Sequence, residues 1–283
     1  MTVESQQPTT GASGLWDVAR PASPTGLRGV TMAGFRARTS APIDLQVVPH
    51  PAVTMVVDVG EGDALYAVDE AAGRRERGSL VAGLAPHRVR GGGRDVECLQ
   101  IRLSPIVAYA VLGEVAPLEG TVVSLEDIWG RHAVRTQEQL IAAKTWEARF
   151  AIATEALGRR IASGREVDGE VGHVWTQIAA RRGQVRVDEM AREVGWGRRR
   201  LWSRFRAQVG INPKRAAQLV RFDHAAHRLA SGDRAAWVAA EAGYADQSHL
   251  HREAVAFSGL TPSALAAAPW LSVDDVAWTD PLV

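Results

Sequence analysis

The sequence predicts an α+β protein that begins with a β-barrel or β-sandwich and ends with an all-helical region. Three observations support this fold class. Residues 27–104 hold short apolar or alternating runs, such as VTMVVDVG and VECLQIRLS, separated by glycines and prolines, which is typical of a barrel or sandwich. From residue 105 onward the apolar residues recur at helical spacing. The last third contains two copies of one helical arrangement.

Length and composition limit the class of protein. The 283 residues are enough for two modest domains, and no apolar run is long enough to cross a bilayer. A single cysteine, Cys98, excludes an intramolecular disulfide and a multi-cysteine zinc site. Because the N-terminus also lacks the pattern of a secretory signal, we expect a cytoplasmic protein.

The charges are distributed unevenly along the chain. Residues 171–270 carry 15 Lys and Arg against 8 Asp and Glu, whereas the rest carries 18 against 24. A basic module joined to an acidic one indicates that the C-terminal part contacts a polyanion. A basic surface that serves only solubility is the alternative.

Composition divides the chain into segments. Residues 1–26 are rich in Pro, Ser, Thr and Gly and are predicted to be a mobile tail. An N-terminal domain covers 27–164, with a β-rich part at 27–104 and a helical part at 105–164. The remaining segments are a linker at 165–170, a helical domain at 171–268 and a C-terminal tail at 269–283.

Helix signals begin directly after the β-rich part. Pro105 can begin a helix that ends at Gly113, and a second helix begins near Ser124. A third stretch, 136–164, divides at Thr145, which can serve as an N-cap. We expect these helices to pack on the β-rich part, where they are a candidate homodimer interface.

An internal repeat organises the last third of the chain. Gly195-Trp196 is followed by a polar, helix-forming run that ends in GINP at 210–213. Gly243-Tyr244 is followed by a similar run that ends in GLTP at 259–262, and the offsets are 48 residues at the front and 49 at the back. Each copy has the glycine turn, the caps and the apolar spacing of a helix-turn-helix unit.

Both units are predicted to have capped helices. In the first unit Asp188 is the predicted N-cap before the turn, and the helix after the turn covers 198–209. Asn212 then caps a connector helix with one buried stripe, and Asp246 caps the helix after the second turn. The residues predicted to face inward are Leu201 and Phe205, then Leu219, Phe222, Ala226 and Leu229, then Leu250, Ala254 and Phe257.

The outward sides of these helices have the chemistry that reads DNA bases. An α-helix fits the major groove, where arginine can bond guanine twice and glutamine can bond adenine twice. Two such helices on a rigid connector suit successive turns of double-stranded DNA, about 34 Å apart. The alternative is a helical bundle with a solvated arginine face. The candidate DNA-binding residues are Arg198, Arg199, Arg200, Trp202, Ser203, Arg206, Gln247, Ser248, His249 and Arg252.

At these residues the chain resembles the AraC/XylS family of bacterial transcription regulators. The resemblance covers about residues 170–268 and is most specific in GYADQSHLHREAVAFSGLTPSAL at 243–265. It implies a sequence-specific regulator, an activator rather than a repressor, with a small-molecule sensor domain ahead of the DNA-binding domain. The segment 96–157 also resembles sensor domains of actinobacterial regulators.

The resemblance implies individual roles. It places base reading on Arg199, Trp202 and Ser203 in the first unit and on Gln247, Ser248, His249 and Arg252 in the second. The neighbouring arginines, which then contact phosphates or the connector, are Arg198, Arg200, Arg204 and Arg206. Two positions depart from the family: Gly197 replaces a usual serine-like cap, and Ala254 replaces a usual phenylalanine, so that Phe257 must fill the space.

The cupin-like β-rich part leaves three functions open. If it encloses a pocket, His50, His87 and Arg102 are the polar groups most able to orient an anionic or hydroxylated ligand. The alternatives are an N-terminal part that serves only dimerisation or contact with RNA polymerase, and a cupin-type metal-dependent enzyme. A filled barrel whose loops merely contact the DNA-binding part would have none of these functions. Because no closely spaced histidine pair precedes residue 165, we predict no metal, no cofactor and no catalytic residue.

Two smaller features are weaker candidates for a site. His224 and His227 are three residues apart on the connector helix and could share a metal, but such pairs occur on polar helix faces by chance. Cys98 shares a strand face with Gln100 and Arg102, and a lone cysteine in a strand is typically a small buried hydrophobe. We therefore predict neither a metal site nor a thiol sensor.

Overall fold

A computed structural model of the chain describes residues 12–61, 65–70, 73–85 and 88–278. Its N-terminal strands form two antiparallel sheets. The strands are β1 (Trp16–Ala19), β2 (Val30–Ala37), β3 (Ile43–Gln46), β4 (Val53–Asp58), β5 (Tyr66–Asp69), β6 (Arg74–Arg77), β7 (Leu80–Ala82), β8 (Val89–Gly93), β9 (Glu97–Leu103) and β10 (Val122–Ser124). The six-stranded sheet has the order β1-β2-β9-β4-β7-β10, and the four-stranded sheet has the order β3-β8-β5-β6.

Strand β9 lies inside the larger sheet and separates two environments. Leu99, Ile101 and Leu103 belong to the large apolar core that continues into the helices. The opposite face, with Cys98 and Arg102, borders a cavity between the two sheets. This confirms the predicted alternation, because successive side chains of a strand point to opposite faces.

The helical part of the N-terminal domain packs on the larger sheet. Its helices are α1 (Pro105–Leu112), α2 (Leu125–Trp129), α3 (Arg131–Ala142) and α4 (Trp146–Ser163). Thr145 caps α4 as the sequence predicts, and Ser124, near which the sequence predicts the start of a helix, caps α2. Their hydroxyls accept hydrogen bonds from the N–H groups of Ala148 and Glu126. The ring of Trp146 covers Gly34 on β2, where a Cβ atom would lie 2.4 Å from it.

The C-terminal part is helical and contains the two predicted helix-turn-helix units. Its helices are α5 (Gly169–Ala180), α6 (Val187–Glu193), α7 (Arg198–Val209), α8 (Pro213–Ala230), α9 (Ala235–Glu241), α10 (Gln247–Ser258), α11 (Pro262–Ala266) and α12 (Pro269–Ala277). Asn212 and Asp246 cap α8 and α10 as predicted. All nine residues predicted to face inward are buried. The fold class is therefore confirmed.

One predicted cap is wrong. Asp188 does not precede α6 but lies in its first turn, and the capping position is held by Arg186, which makes no side-chain cap hydrogen bond. Asp188 instead forms an ion pair with Arg198 across the turn at 2.9 Å. A carboxylate in the first turn still stabilises the positive end of the helix dipole.

Three predicted boundaries also differ from the structure. The predicted mobile tail contains strand β1, whose Trp16 is buried and packs edge-on against Phe35. The predicted linker contains the start of α5. The predicted C-terminal tail contains α12, which packs on the barrel through Leu271 and Val273. These segments are ordered by partners far away in sequence, and short elements of this kind carry little local signal. Residues 1–11 and 279–283 lie outside the described part.

The N-terminal and C-terminal parts share one apolar core that runs from the larger sheet through α1 and α4 to α5, α7 and α8. Polar contacts join them as well: Arg206 on α7 pairs with Glu119 at 2.9 Å, and the backbone N–H of Asp168 donates to Gln208 at 2.8 Å. Within the described residues, no helix combines the length and apolarity that a membrane span needs.

Candidate functional site

Helix α7 is held by its apolar side and by two glycine turns. Gly195 and Gly210, at φ of 67° and 97°, adopt the left-handed conformation that ends α6 and α7. Leu201 and Phe205 are fully buried beneath the helix. Gly197 precedes the helix without a side-chain cap, as its departure from the family pattern predicts. The position of α7 therefore depends on packing rather than on its first turn.

The outward side of α7 carries two groups of residues. The engaged residues are those whose side chains form a hydrogen bond, an ion pair or a cation–π contact with another side chain of the described part, and the others form none. Arg204 donates two hydrogen bonds to Asp168, at 2.7 and 2.8 Å, and this bonding lowers the pKa of that carboxyl. Arg200 lies over the Trp196 ring at 4.3 Å. Arg198 and Arg206 are exposed but paired with Asp188 and Glu119.

By contrast, Arg199, Trp202 and Ser203 are exposed. Within the described part of the chain, their side chains make no hydrogen bond or ion pair. They are the same three residues to which the resemblance assigns base reading, and a side chain without an internal partner can bond a base without first breaking a contact. Their role stays a prediction.

Helix α10 presents the corresponding face of the second unit. Gln247, Ser248 and Arg252 are exposed and lack side-chain partners among the described residues. His249 differs, because its ring packs edge-on against Tyr244 with centroids 5.2 Å apart, and its Nδ1 accepts a 3.4 Å hydrogen bond from the N–H of Ala245. The side chains of Gln247, Ser248 and Arg252 can therefore contact a partner directly, whereas the His249 ring is held by its contacts with Tyr244 and Ala245.

A buried carboxylate fastens α10 to α8, and sequence reasoning missed it. Glu253 is 6% exposed and accepts hydrogen bonds from Arg221 at 2.6 and 3.2 Å and from the Tyr244 hydroxyl at 2.8 Å. Beside it the rings of Phe222 and Phe257 stack at 5.0 Å, so Phe257 packs against the connector near the small Ala254. A glutamate on a polar-looking helix gives no local indication that it is buried.

A second feature lies in the N-terminal domain, between the two sheets. It is a cavity of about 140 Å³ with mostly apolar walls. Arg102 lines it and forms a 2.8 Å ion pair with Asp274 of α12, and both side chains are nearly buried. His50 also lines it, within 2.9 Å of the Thr54 hydroxyl. Two of the three predicted ligand-binding residues thus meet at one cavity, and His87 lies outside the described residues.

Burial decides the protonation of two cavity groups. Burial and, next, the Arg102 charge hold the pKa of His50 well below its ordinary value, so the ring is neutral. Burial raises the pKa of the Cys98 thiol to about 12, which keeps it protonated and unreactive. The structure therefore gives Cys98 the environment of an apolar residue rather than of a thiol sensor.

Charged residues join the cavity to the connector helix. His227 on α8 lies 3.5 Å from Asp274 and 3.7 Å from the Asp223 carboxylate. Burial opposes the histidine charge, but the hydrogen bond to Asp274 and the Asp223 charge outweigh it and raise the pKa of His227 to about 9. Burial raises the pKa of Asp223 to about 6. Sequence reasoning missed this cluster because the segment that supplies Asp274 carries little local helix signal.

His227 makes the stability depend on pH. Because its pKa in the folded chain, about 9, lies above the ordinary 6.5, its stabilisation is complete below pH 6.5 and is lost as the pH rises through 9. We expect the free energy of unfolding to fall by about 1–3 kcal/mol over that window. Urea unfolding at several pH values measures it, and His227→Gln should remove most of the dependence. An unchanged dependence in that variant would contradict the assignment.

Within the described ranges, no three histidine, cysteine or carboxylate side chains converge in a metal-ligating arrangement. His224 lies 3.4 Å from an Arg182 guanidinium nitrogen, and a cation at that distance disfavours metal binding to the ring.

Comparison with known families identifies the C-terminal region. Residues 190–268 match a family model described as a helix-turn-helix domain. No curated protein matches the sequence at a significant level.

Solved structures with a similar course of the chain include an apo variant of ToxT from Vibrio cholerae strain SCE256. It is 8% identical with a TM-score of 0.48 over 88% of this chain and 99% of that one. Wild-type ToxT from the same strain, bound to an unsaturated fatty acid, is 9% identical with a TM-score of 0.46 over 84% and 95%. The AraC-like transcriptional activator CuxR is 16% identical with a TM-score of 0.26 over 69% and 81%.

Proposed function

We propose that this chain is a sequence-specific DNA-binding transcription regulator of the AraC/XylS type, on the premise that residues 190–268 match a helix-turn-helix domain model. The observation that carries the proposal is the agreement between that match and the side chains of α7 and α10. In both helices, the residues with base-reading chemistry, His249 excepted, are exposed and without internal partners among the described residues, while the apolar side of each helix is buried.

We propose two classes of DNA contact. Arg199, Trp202 and Ser203 read bases from α7, and Gln247, Ser248 and Arg252 read them from α10. The engaged arginines, Arg198, Arg200, Arg204 and Arg206, contact phosphates. His249 contacts DNA only after its ring leaves Tyr244. Base contacts carry sequence preference, whereas phosphate contacts add affinity for every sequence and make it salt-dependent.

The test begins with genomic fragments that the purified chain captures, from which the bound sequence is defined. Arg199→Ala is expected to weaken binding to that duplex by about 1–3 kcal/mol and to relax the preference at one or two base pairs, because a bidentate arginine–guanine contact is lost. Fluorescence anisotropy on the selected and on a shuffled duplex, at several salt concentrations, measures both effects.

Arg159→Ala is the matched control, since Arg159 is an exposed arginine on α4 whose partner is the equally exposed Glu155. It should leave both affinities unchanged. Equal losses on the selected and shuffled duplexes after Arg199→Ala would move Arg199 into the phosphate class. No salt-sensitive binding of the parent chain to any duplex would overturn the proposed function itself.

We also propose that a small molecule bound in the N-terminal cavity modulates DNA binding. Apolar walls with few polar groups, here Arg102 and His50, are typical of ligand sites. From the resemblance of residues 170–268 to the AraC/XylS family, we propose that the regulator acts in the cytoplasm as an activator, and contact with RNA polymerase stays a prediction. The homodimer stays a prediction, and Val134 and Ile141, exposed seven residues apart on α3, mark where its interface would lie.

A further inference from the structure

Helix α12 forms part of the wall of the N-terminal cavity. Leu271 and Asp274 line the cavity directly. Val273 and Ala277, 1% and 4% exposed, pack in the apolar cluster that contains Phe35 and other barrel residues. The ring of Trp278, the last described residue, lies 6.2 Å from the ring of Phe35, measured between the ring centroids. One helix of the C-terminal part thus closes part of a cavity in the N-terminal part.

The contact between Arg102 and this helix is incomplete. One guanidinium nitrogen, Nη2, donates to Asp274 at 2.8 Å. The Nε–H of Arg102 is buried and has no hydrogen-bond partner among the described residues. A buried donor without a partner destabilises the folded chain, because the group has lost its hydrogen bond to water and gained none in return. A free carboxylate would accept from Nε and Nη2 together, which is the geometry that arginine favours.

Asp274 has two other partners, which keep its carboxylate from accepting hydrogen bonds from Nε and Nη2 of Arg102 together. The Trp278 indole donates to its Oδ1 at 3.1 Å, and His227 lies 3.5 Å from its Oδ2. Its carboxylate is therefore shared among three cationic or donor groups, and its position is set by the helix backbone. Arg102 thus keeps one unused donor that is closed off from solvent, while its side chain lines a largely apolar cavity.

The size of the cavity limits what fits while α12 stays in place. An apolar protein cavity of about 150 Å³ accepts one benzene molecule. A cavity of about 140 Å³ therefore has room for one six-membered ring, and its walls include Arg102 as the permanent cation. A ring that carries a carboxylate matches both the volume and the unused donor.

We infer that Asp274 of α12 takes the place of a ligand carboxylate on Arg102 and that a small apolar carboxylate displaces it. The inference rests on the proposed ligand binding by the N-terminal domain and names the class of ligand and the element that it moves. The carboxylate bonds Nε and Nη2 of Arg102, the ring fills the cavity, and α12 loses its ion pair with Arg102.

The displacement reaches the DNA-binding part by two routes. Helix α12 begins three residues after α11 ends, and α11 packs on the connector helix α8. His227 on α8 loses its Asp274 partner when that carboxylate leaves Arg102. Both routes lead to the helix that joins the two helix-turn-helix units, so ligand and DNA binding are coupled, and each changes the affinity for the other by the same factor.

Calorimetry with two ring compounds tests the inference on the full chain. The probes are cyclohexanecarboxylate and its uncharged amide, which have nearly the same shape. We expect the parent chain to prefer the carboxylate, and we expect Asp274→Asn to tighten carboxylate binding by about tenfold, because the internal competitor for Arg102 is weakened. Arg102→Gln should abolish the preference for the carboxylate over the amide. Circular dichroism establishes that each variant is folded.

Asp223→Asn is the matched control, since it removes a partner of His227 without touching Arg102, and it should leave the probe affinity unchanged. Hydrogen exchange should show faster exchange in 271–278 when the carboxylate is bound, with α4 unaffected. Slower exchange in 271–278, unchanged or weaker binding after Asp274→Asn, or no carboxylate preference in either chain would overturn the inference. DNA binding measured on the same samples separates that result from failure of the proposed function.

Discussion

Replacing Glu253 by alanine is expected to lower the free energy of unfolding by about 3–5 kcal/mol, because the change leaves a buried arginine without its anion. Arg221 is only 17% exposed in its side chain and donates to both carboxylate oxygens of Glu253. The Tyr244 hydroxyl loses its acceptor as well. Since Arg221 belongs to α8 and Tyr244 to the turn before α10, the second helix-turn-helix unit should detach from the connector.

Urea unfolding of the full chain measures the loss, and DNA binding measures its consequence. Tyr244→Phe is the matched control, because it removes one hydrogen bond of the same network and should cost about 1 kcal/mol. The DNA affinity of Glu253→Ala should fall with its stability, while that of Tyr244→Phe stays close to the parent value. A Glu253→Ala variant as stable as Tyr244→Phe would show that the ion pair does not hold α10.

The second large effect is expected at Gly183, in the turn between α5 and α6. Its φ of 74° is left-handed, and a Cβ atom there would lie 2.1 Å from the Ala217 carbonyl oxygen and 2.8 Å from the Arg221 amide nitrogen. Both contacts are backbone atoms of α8, which cannot move aside as a side chain can. We expect Gly183→Ala to destabilise the chain by about 2–5 kcal/mol through conformational strain and overpacking.

A variant at Gly195 separates the cost of the left-handed conformation from the cost of overpacking. Gly195 has a similar φ of 67°, but among the described residues no atom beyond its chain neighbours lies within 4 Å of the place that a Cβ atom would take. Gly195→Ala therefore carries only the conformational cost of about 1–2 kcal/mol. Thermal and urea unfolding of the two variants, side by side, measure the difference. Equal losses would mean that α8 does not approach the turn as closely as the structure shows.

Local chemistry predicted the C-terminal part well. The N-cap at Asn212, the left-handed glycine at 210 and the buried stripe from Leu219 to Leu229 depend on residues within a few positions of one another. The alternation along β9 is equally local, because Leu99 and Cys98 must point to opposite faces. The prediction for Asp188 was wrong because an acidic residue is favourable both as a cap and in the first turn.

The sequence alone identified candidate DNA-binding residues only where a side chain able to bond a base also lies on the outward side of a predicted helix. Arg199 and Gln247 could be chosen because helical spacing alone shows that they lie opposite the apolar side. Spacing could not show that Arg204 is paired with Asp168, that His249 packs on Tyr244 or that Glu253 is buried. Those facts depend on which helix lies against which, and that is a property of the assembled core.

By itself, the sequence determined the strand-rich and helical regions, the repeat of two capped turns and the side chains that face away from each helix, because caps, turns and periodicity act over a few residues. Only the tertiary structure decided that the C-terminal segment is a helix on the barrel and that Asp274 meets Arg102, 172 positions earlier. No local pattern encodes such a meeting, since its free energy comes from burying surfaces that are distant along the chain.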